Sequence, residues 1–489
     1  IMDSLKQKTI SGLTWSFIEN FANQGIQFIV GIILARLLTP DEFGLIGMIA
    51  IFIAVSQSFI DSGFSSALIR KKECNDNDYP TVFFYNLAAG ITLYLILFFL
   101  ATPISNFYNQ PILKSLIRVL GLSLIIRSFT IIQFVILTKR LDFKLHAKIS
   151  VLATLISGVI GIVMAYKGFG VWSLVIRTVT TAFFTSLFLW IWNRWKPPFV
   201  FSISSFKELF GFGSKLLLSG LIDTIYNNIY YLIIGKFFSA KELGYYTRAD
   251  TIKDIPSKNI NGVVSKVTYP VLSSLQDDKI ALKAAYRRII KSVMLITFVL
   301  MIGLAAIAEP MIVTLIGDKW LPCVIYLQML CFSGMLYPLH ALNLNMLKVE
   351  GRSDLFLKLE IIKKIIAVPV ILTGILWGIK AMIGGMIVLS LIAYYLNSYW
   401  SGKFINYSTK DQILDITPSF LIAIFMGIIV YLTGMILNFG SLPKFLIQLA
   451  IGSLIVFSIC ELIKFSDYIY LKEIVKTKVS DYFYARTRK

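Results

Sequence analysis

Six ionisable side chains crowd the nineteen residues from Arg248 to Lys266: Arg248, Asp250, Lys253, Asp254, Lys258 and Lys266. On a helix Asp254 and Lys258 stand one turn apart, where a carboxylate and an ammonium can pair. Four cations against two acids still leave positive charge that calls for water or an anionic ligand. A second polar row, Lys215, Ser219, Asp223, Asn227 and Tyr230, recurs at steps of three or four and so shares one helix face. Glu19, Asn23 and Gln27 repeat the pattern near the start of the chain, and Arg118, Arg127 and Arg177 add isolated cations to apolar surroundings. The chemistry on offer is recognition rather than bond making. Lys215, Arg248, Lys253, Lys258, Arg118, Arg127 and Arg177 would attract an anion, and Glu19, Asp61, Asp223, Asp250 and Asp254 would sense a coupling cation, H+ or Na+. Two histidines and four scattered cysteines provide neither metal-ligand spacing nor a disulfide framework. No phosphate-binding loop of the G-x-x-x-x-G-K-[ST] type occurs, so any work must be drawn from a gradient. No catalytic residue, no metal site and no bound cofactor is expected.

The elements that carry these residues must sit in a bilayer. Hydrophobic residues make up 57% of the chain, charged ones 15%, and the mean hydropathy is +0.75, whereas a soluble domain is about a quarter charged. Apolar windows long enough to cross roughly 30 Å of hydrocarbon recur fourteen times, near 11–37, 44–69, 80–103, 112–138, 147–166, 169–193, 209–235, 245–273, 286–308, 322–347, 355–378, 380–402, 416–437 and 443–463. The eighth is weak by hydropathy alone. Its charges would cost well over ~10 kcal/mol facing lipid, at about 2.5–3.5 kcal/mol each, so that face must meet water or protein. The first window is too long for a signal sequence and is broken by Glu19, Asn20 and Asn23, so it is expected to stay as a span.

The net charge of +20 raises the possibility of a nucleic-acid binder, and the placement of the cations removes it. With the amino terminus inside, 31 lysines and arginines fall in cytoplasmic segments and seven in the opposite loops. The positive-inside rule then places both termini in the cytoplasm, and the excess charge is topology.

The chain also repeats itself. ARLLTPDEFG (35–44) is answered by GKFFSAKELG (235–244), with Arg36 matching Lys236, Glu42 matching Glu242 and Gly44 matching Gly244 at an offset of 200. GIVMAYKGFGVW (161–172) is answered by GILWGIKAMIGG (374–385), with Lys167 matching Lys380. Six spans separate the copies, and an even number returns the chain to the same side, which makes the halves a parallel repeat about an axis along the membrane normal. Arg36, Lys236, Glu42 and Glu242 are expected to pin the two corners structurally. The expected architecture is all-α, with two six-helix lobes around a central cavity: residues 1–196, an interfacial linker 197–207 containing Pro197-Pro198, residues 208–408, two further helices in 409–463, and a basic tail 464–489. The tail sets Tyr468, Leu471, Val475, Val479 and Tyr482 at helical spacing, as in an amphipathic helix on an anionic membrane surface.

The corner ARLLTPDEFG, the string 235–278, the linker NRWKPPF and the turn YKGFGVWSL resemble the Wzx-type polysaccharide flippases of the multidrug/oligosaccharidyl-lipid/polysaccharide exporter superfamily. The resemblance covers the first twelve spans. It implies a V-shaped cavity, alternating access, ion coupling, and transfer of an undecaprenyl-diphosphate-linked oligosaccharide across the bacterial cytoplasmic membrane for surface polysaccharide synthesis. It also implies a groove for the lipid tail at the last two helices, and partnership with membrane lipids, a polysaccharide polymerase and glycosyltransferases. A multidrug exporter of the same superfamily would carry cationic cargo, against which a cationic cleft argues. A glycan polymerase or ligase needs sizeable outer loops, and the longest one here, about 104–111, holds no charge.

Overall fold

The computed structural model describes residues 2–487, with the side chains of 2–11, 13, 263, 265–267, 475 and 478–487 left aside. Regular structure among the described residues is helical throughout. Two compact units divide at Thr247 and Arg248.

In the first unit run α1 (Met2–Leu37), α2 (Pro40–Asp61), α3 (Phe64–Arg70), α4 (Asp78–Tyr108), α5 (Leu113–Ser128), α6 (Ile131–Lys139), α7 (Phe143–Tyr166), α8 (Trp172–Trp192), α9 (Ile203–Phe237) and the first turns of α10 (Ala240–Ser273). Helices α1 and α7 pack as a pair, as do α4 with α5, α7 with α8, and α2 with α9. Within this unit α9 packs against α2, α3 and α4. Around that contact lies a core of Phe64, Leu68, Val82, Phe83, Ile132 and Leu209, with Phe206 and Phe212 against it.

The repeated corner shows why the sequence states it twice. In the first copy the Thr39 backbone N–H donates to Glu42 Oε2 at 2.6 Å, and the Thr39 hydroxyl lies 3.0 Å from the same oxygen. In the second, the Glu242 backbone N–H donates to the Ser239 hydroxyl at 3.1 Å. Each helix start thus satisfies a donor that has no intrahelical partner. The two starts then meet. A Cβ on Gly44 would lie 1.7 Å from the carbonyl oxygen of Ala240, and one on Gly244 would lie 1.9 Å from that of Pro40. Pro40 and Ala240 hold matching places in the two copies, as do Gly44 and Gly244, so the contact is reciprocal in the manner of a two-fold interface. Only glycine permits backbones this close. The turn between α7 and α8 closes in on the corner too, since a Cβ on Gly170 would fall against the Glu42 carboxylate.

The second unit holds the remainder of α10, then α11 (Lys279–Ala306), α12 (Ala308–Ile316), α13 (Cys323–Gly334), α14 (Tyr337–Val349), α15 (Ser353–Trp377), α16 (Ile379–Ile405), α17 (Thr409–Ile436), α18 (Ser441–Leu462) and α19 (Ser466–Thr487). Its core joins Tyr286, Ile290, Met294 and Phe298 of α11 to Leu339, Leu342 and Met346 of α14 and Ala423 of α17. The tail is helical as expected, and its first turns dock on the unit: Asp467 lies 3.3 Å from Lys291, Arg288 sits 4.1 Å over the Tyr470 ring, and Tyr468 meets Phe457 edge-on. Leu471 is half-buried, while the side chains of Val475, Val479 and Tyr482 lie outside the described residues.

Among the described residues, eleven helical segments are long and apolar enough to cross a membrane. The chain is a multi-pass membrane protein.

Candidate transport site

The ion pairs of the two units differ in kind. Among the described residues of the second unit, several little-exposed charges meet their opposites within the protein. Lys253 places its ammonium 2.7 Å from Asp250 and 2.8 Å from Asp254, with only 15% of its side chain exposed. Lys258 closes the expected one-turn pair with Asp254 at 2.5 Å while remaining 69% exposed. Both acids of this helix are thus engaged within it, Asp250 by Lys253 and Asp254 by Lys253 and Lys258, while four cations against two acids still leave it with an excess of positive charge. Arg248 has interactions of its own, and the Lys266 side chain lies outside the described residues. Arg287 forms a two-point pair with Asp415, Nε to Oδ2 at 2.5 Å and Nη2 to Oδ1 at 2.6 Å, and Tyr407 donates its hydroxyl to the same carboxylate at 2.7 Å.

In the first unit three cations have no such partner. Arg118 and Arg127 lie on α5 and Arg177 on α8, two helices that pack together. The Arg118 guanidinium sits 4.1 Å over the Phe98 ring, a contact that offsets part of its desolvation. The stem of Arg177 packs on Gly161 of α7. The Nε atoms of Arg118 and Arg127 are buried without a hydrogen-bond partner. Among the described residues none of the three arginines forms an ion pair; the pairs of this unit involve Lys71, Asp78, Glu208, Glu19 and His146. A guanidinium keeps its charge under these conditions, so such groups favour an incoming anion. Lys215 is exposed on α9 and likewise makes no ion pair among the described residues.

The carboxylates named from sequence scatter. Glu19 binds the His146 imidazole, with both oxygens 2.8 Å from Nδ1. One turn further along both helices, Asn23 donates to Ser150 at 2.8 Å and keeps a buried, unpartnered Oδ1. Asp61 is committed to α3, accepting from the Ser65 N–H at 3.2 Å and hydroxyl at 2.5 Å. Asp223 is exposed on α9 and has an interaction of its own. Asp250 and Asp254 belong to Lys253. At the corner, Glu42 caps its own helix, and Lys236 donates to the Phe107 carbonyl at 2.5 Å. Arg36 and Glu242 have interactions as well.

Sequence reading missed two groups. His146 had no role, although it is the partner of Glu19. Lys363 and Lys364 were placed among cytoplasmic charges, whereas they stand in the third and fourth turns of α15, about 15 Å from its start. There Lys363 pairs with Glu360 at 2.5 Å. The signal lay in the opposite face of α15: Leu357, Ile361, Ile365, Val368, Leu372 and Leu376 recur at steps of three or four and are all at least half exposed or nearly so. That stripe suits lipid and leaves Lys363 and Glu360 on the other side of the helix, with Lys364 at the edge of the stripe. His340, expected to be packed and hydrogen-bonded, sets Nε2 3.1 Å from the Ser390 hydroxyl.

The chain is a multi-pass helical membrane protein whose fold is also found among solved transporters. The fold is shared with "Lipid II flippase MurJ, inward closed conformation" (TM-score 0.76, 17% identity, 94% of this chain and all, 100%, of that one) and with an inward-facing multidrug resistance MATE family transporter (TM-score 0.63, 17% identity, 79% and 96%). Residues 33–325 match the model of the polysaccharide biosynthesis protein family, and the chain belongs to that family. It is similar to the lipopolysaccharide biosynthesis protein WzxC of Escherichia coli (25% identity over 443 residues, 89% of each chain). It is also similar to the teichuronic acid biosynthesis protein TuaB of Bacillus subtilis (27% over 356 residues, 72% of this chain and 74% of the relative). A further relative is the succinoglycan biosynthesis transport protein ExoT of Rhizobium meliloti (25% over 318 residues, 65% and 64%). The resemblance to polysaccharide flippases read from the corner and the 235–278 string is borne out.

Proposed function

We propose that this transporter is a flippase that moves an undecaprenyl-diphosphate-linked oligosaccharide from the cytoplasmic to the outer leaflet of the bacterial cytoplasmic membrane by alternating access. One observation carries the reading: Arg118, Arg127 and Arg177 lie within segments apolar enough to cross a membrane and form no ion pair with a carboxylate among the described residues. Such cations are expensive in hydrocarbon unless a wet path and an anion offset them. A diphosphate supplies that anion, and its sugars need the same polar path, because hydrated groups cross lipid only at great cost. The polyisoprenyl chain stays in lipid throughout, and α17 and α18, rich in exposed Leu, Ile and Phe, offer it a surface.

Helices α9, α10 and α15 complete a set of fourteen spans. Their embedded polar and charged residues set them apart from the other eleven, and for α15 the exposed apolar stripe supports a lipid-facing side. Both termini lie in the cytoplasm in this reading. For coupling, Glu19 is the best placed of the carboxylates, because both of its oxygens lie 2.8 Å from the His146 Nδ1 within a membrane-crossing pair of helices.

The test uses a strain with its chromosomal copy deleted. Surface polysaccharide should fall and lipid-linked oligosaccharide should accumulate in the cytoplasmic leaflet, with the native gene restoring both and an Arg127→Gln/Arg177→Gln variant restoring neither. Unchanged surface polysaccharide and an unchanged lipid-linked pool in the deletion strain would refute the proposal.

A further inference from the structure

Helices α2 and α9 touch from one end to the other. At the corner end a Cβ on Gly235 would lie 2.9 Å from Met48, beside the reciprocal contact of Gly44 and Gly244. Midway, the Ser58 and Thr224 hydroxyls meet at 3.1 Å. At the far end Gly63 and Gly213 repeat the backbone contact: a Cβ on Gly63 would lie 2.5 Å from the Gly213 carbonyl oxygen, and one on Gly213 2.6 Å from that of Ser62. The 22 residues of α2 rise about 33 Å, the thickness of the hydrocarbon layer, so the seam is shut across the whole membrane. Transport by alternating access needs a route open at one face at a time, and a seam shut at both ends must therefore part at one of them.

The far end carries the lock that water can break. Lys71 reaches Glu208 at 2.9 Å across the seam and Asp78 at 2.9 Å beside it, and the Arg70 guanidinium lies 4.5 Å over the Phe212 ring. Glu208 is 60% exposed, and exposed ion pairs hold weakly. The lysine itself is held in place, since Lys139 donates to the Lys71 carbonyl at 2.7 Å and to that of Leu68 at 3.1 Å. The Glu208 hydrogen bond and the two carboxylates keep the Lys71 ammonium above the ordinary lysine range, so it stays charged. Here one partner is fixed to α3, α4 and α6 and the other rides on α9, which is the arrangement of a clasp. At the corner end backbone packs on backbone, and the charges there engage neighbouring backbone, Glu42 the Thr39 N–H and Lys236 the Phe107 carbonyl.

We propose that the α2–α9 seam is a gate that parts at the Gly63–Gly213 end, with Lys71–Glu208 as its clasp. The inference rests on the flippase reading for its purpose, but its geometry can be tested without substrate. In a Cys74→Ser background the remaining native thiols are buried, and Ser58→Cys with Thr224→Cys should join on oxidation. The joined protein should lose at least tenfold in export, regained on reduction. In purified protein carrying Thr224→Cys alone, adding Glu208→Gln should speed labelling by a water-soluble maleimide at least threefold, because the clasp is gone while Lys71 keeps Asp78. Glu208→Asp should label more slowly than Glu208→Gln. Export unchanged with the thiols joined, thiols that do not join, or labelling indifferent to Glu208 would each overturn the gate. The labelling arm is read on the protein alone, so it separates failure of the gate from failure of the flippase reading.

Discussion

Gly44→Ala and Gly244→Ala test the reciprocal corner directly. Each adds one methyl group, at 1.7 Å from the Ala240 oxygen or 1.9 Å from the Pro40 oxygen. An ordinary carbon–oxygen contact is about 3.4 Å, so the two helix starts must separate by roughly 1.5 Å, and both obstructing atoms are backbone that cannot swing aside. Overpacking of this kind costs about 1–3 kcal/mol. If the corner contact belongs to one working state only, that cost becomes a shift of about 5- to 150-fold between states, at tenfold per ~1.4 kcal/mol. The first displacement makes room for the second methyl group, so the double variant should cost less than the two single ones together. Gly25→Ala and Gly220→Ala serve as controls: nothing lies within 4 Å of either new Cβ, and on a helix alanine should be neutral or stabilising by up to about 1 kcal/mol. Thermal unfolding in detergent, followed by size-exclusion fluorescence, measures all five proteins, and export in the deletion strain measures the shift in working states. Corner variants that melt and export like the controls would refute the reciprocal contact.

Other outcomes follow from the charges. Arg127→Gln and Arg177→Gln should lower export while leaving the melting temperature unchanged or raised, because no protein ion pair is lost; a large drop in melting temperature would reveal a structural partner. Arg287→Gln should do the reverse, costing about 1–3 kcal/mol of stability by stranding the Asp415 carboxylate, which is 9% exposed. Unchanged melting of that variant would show the pair to be dispensable. The Lys71 ammonium is raised from the ordinary lysine value of about 10.4. A raised lysine contributes its full stabilisation below its unfolded value and loses it only as pH climbs through the folded one. Cross-linking of Ser58→Cys with Thr224→Cys, once corrected for thiol ionisation, should therefore be flat from pH 6 to about pH 9, and a fall within that interval would mean another group holds the seam.

Composition and periodicity were enough to read a multi-pass helical protein, because hydrocarbon forces every backbone polar group into a helix and every span toward one length. The corner motif was legible too, since a Ser or Thr followed by Glu three residues later has a local meaning, and the Asp254–Lys258 pair follows from helix spacing alone. What the local pattern could not supply was who meets whom. That Lys253 bridges two acids, that Glu19 finds His146 across 127 residues, and that Arg127 and Arg177 form no ion pair among the described residues depends on how helices are rotated and stacked. The same holds for the two glycine pairs. Each glycine is visible in the sequence, but the carbonyl that forbids a side chain there comes from another helix, and only tertiary packing brings it within van der Waals reach.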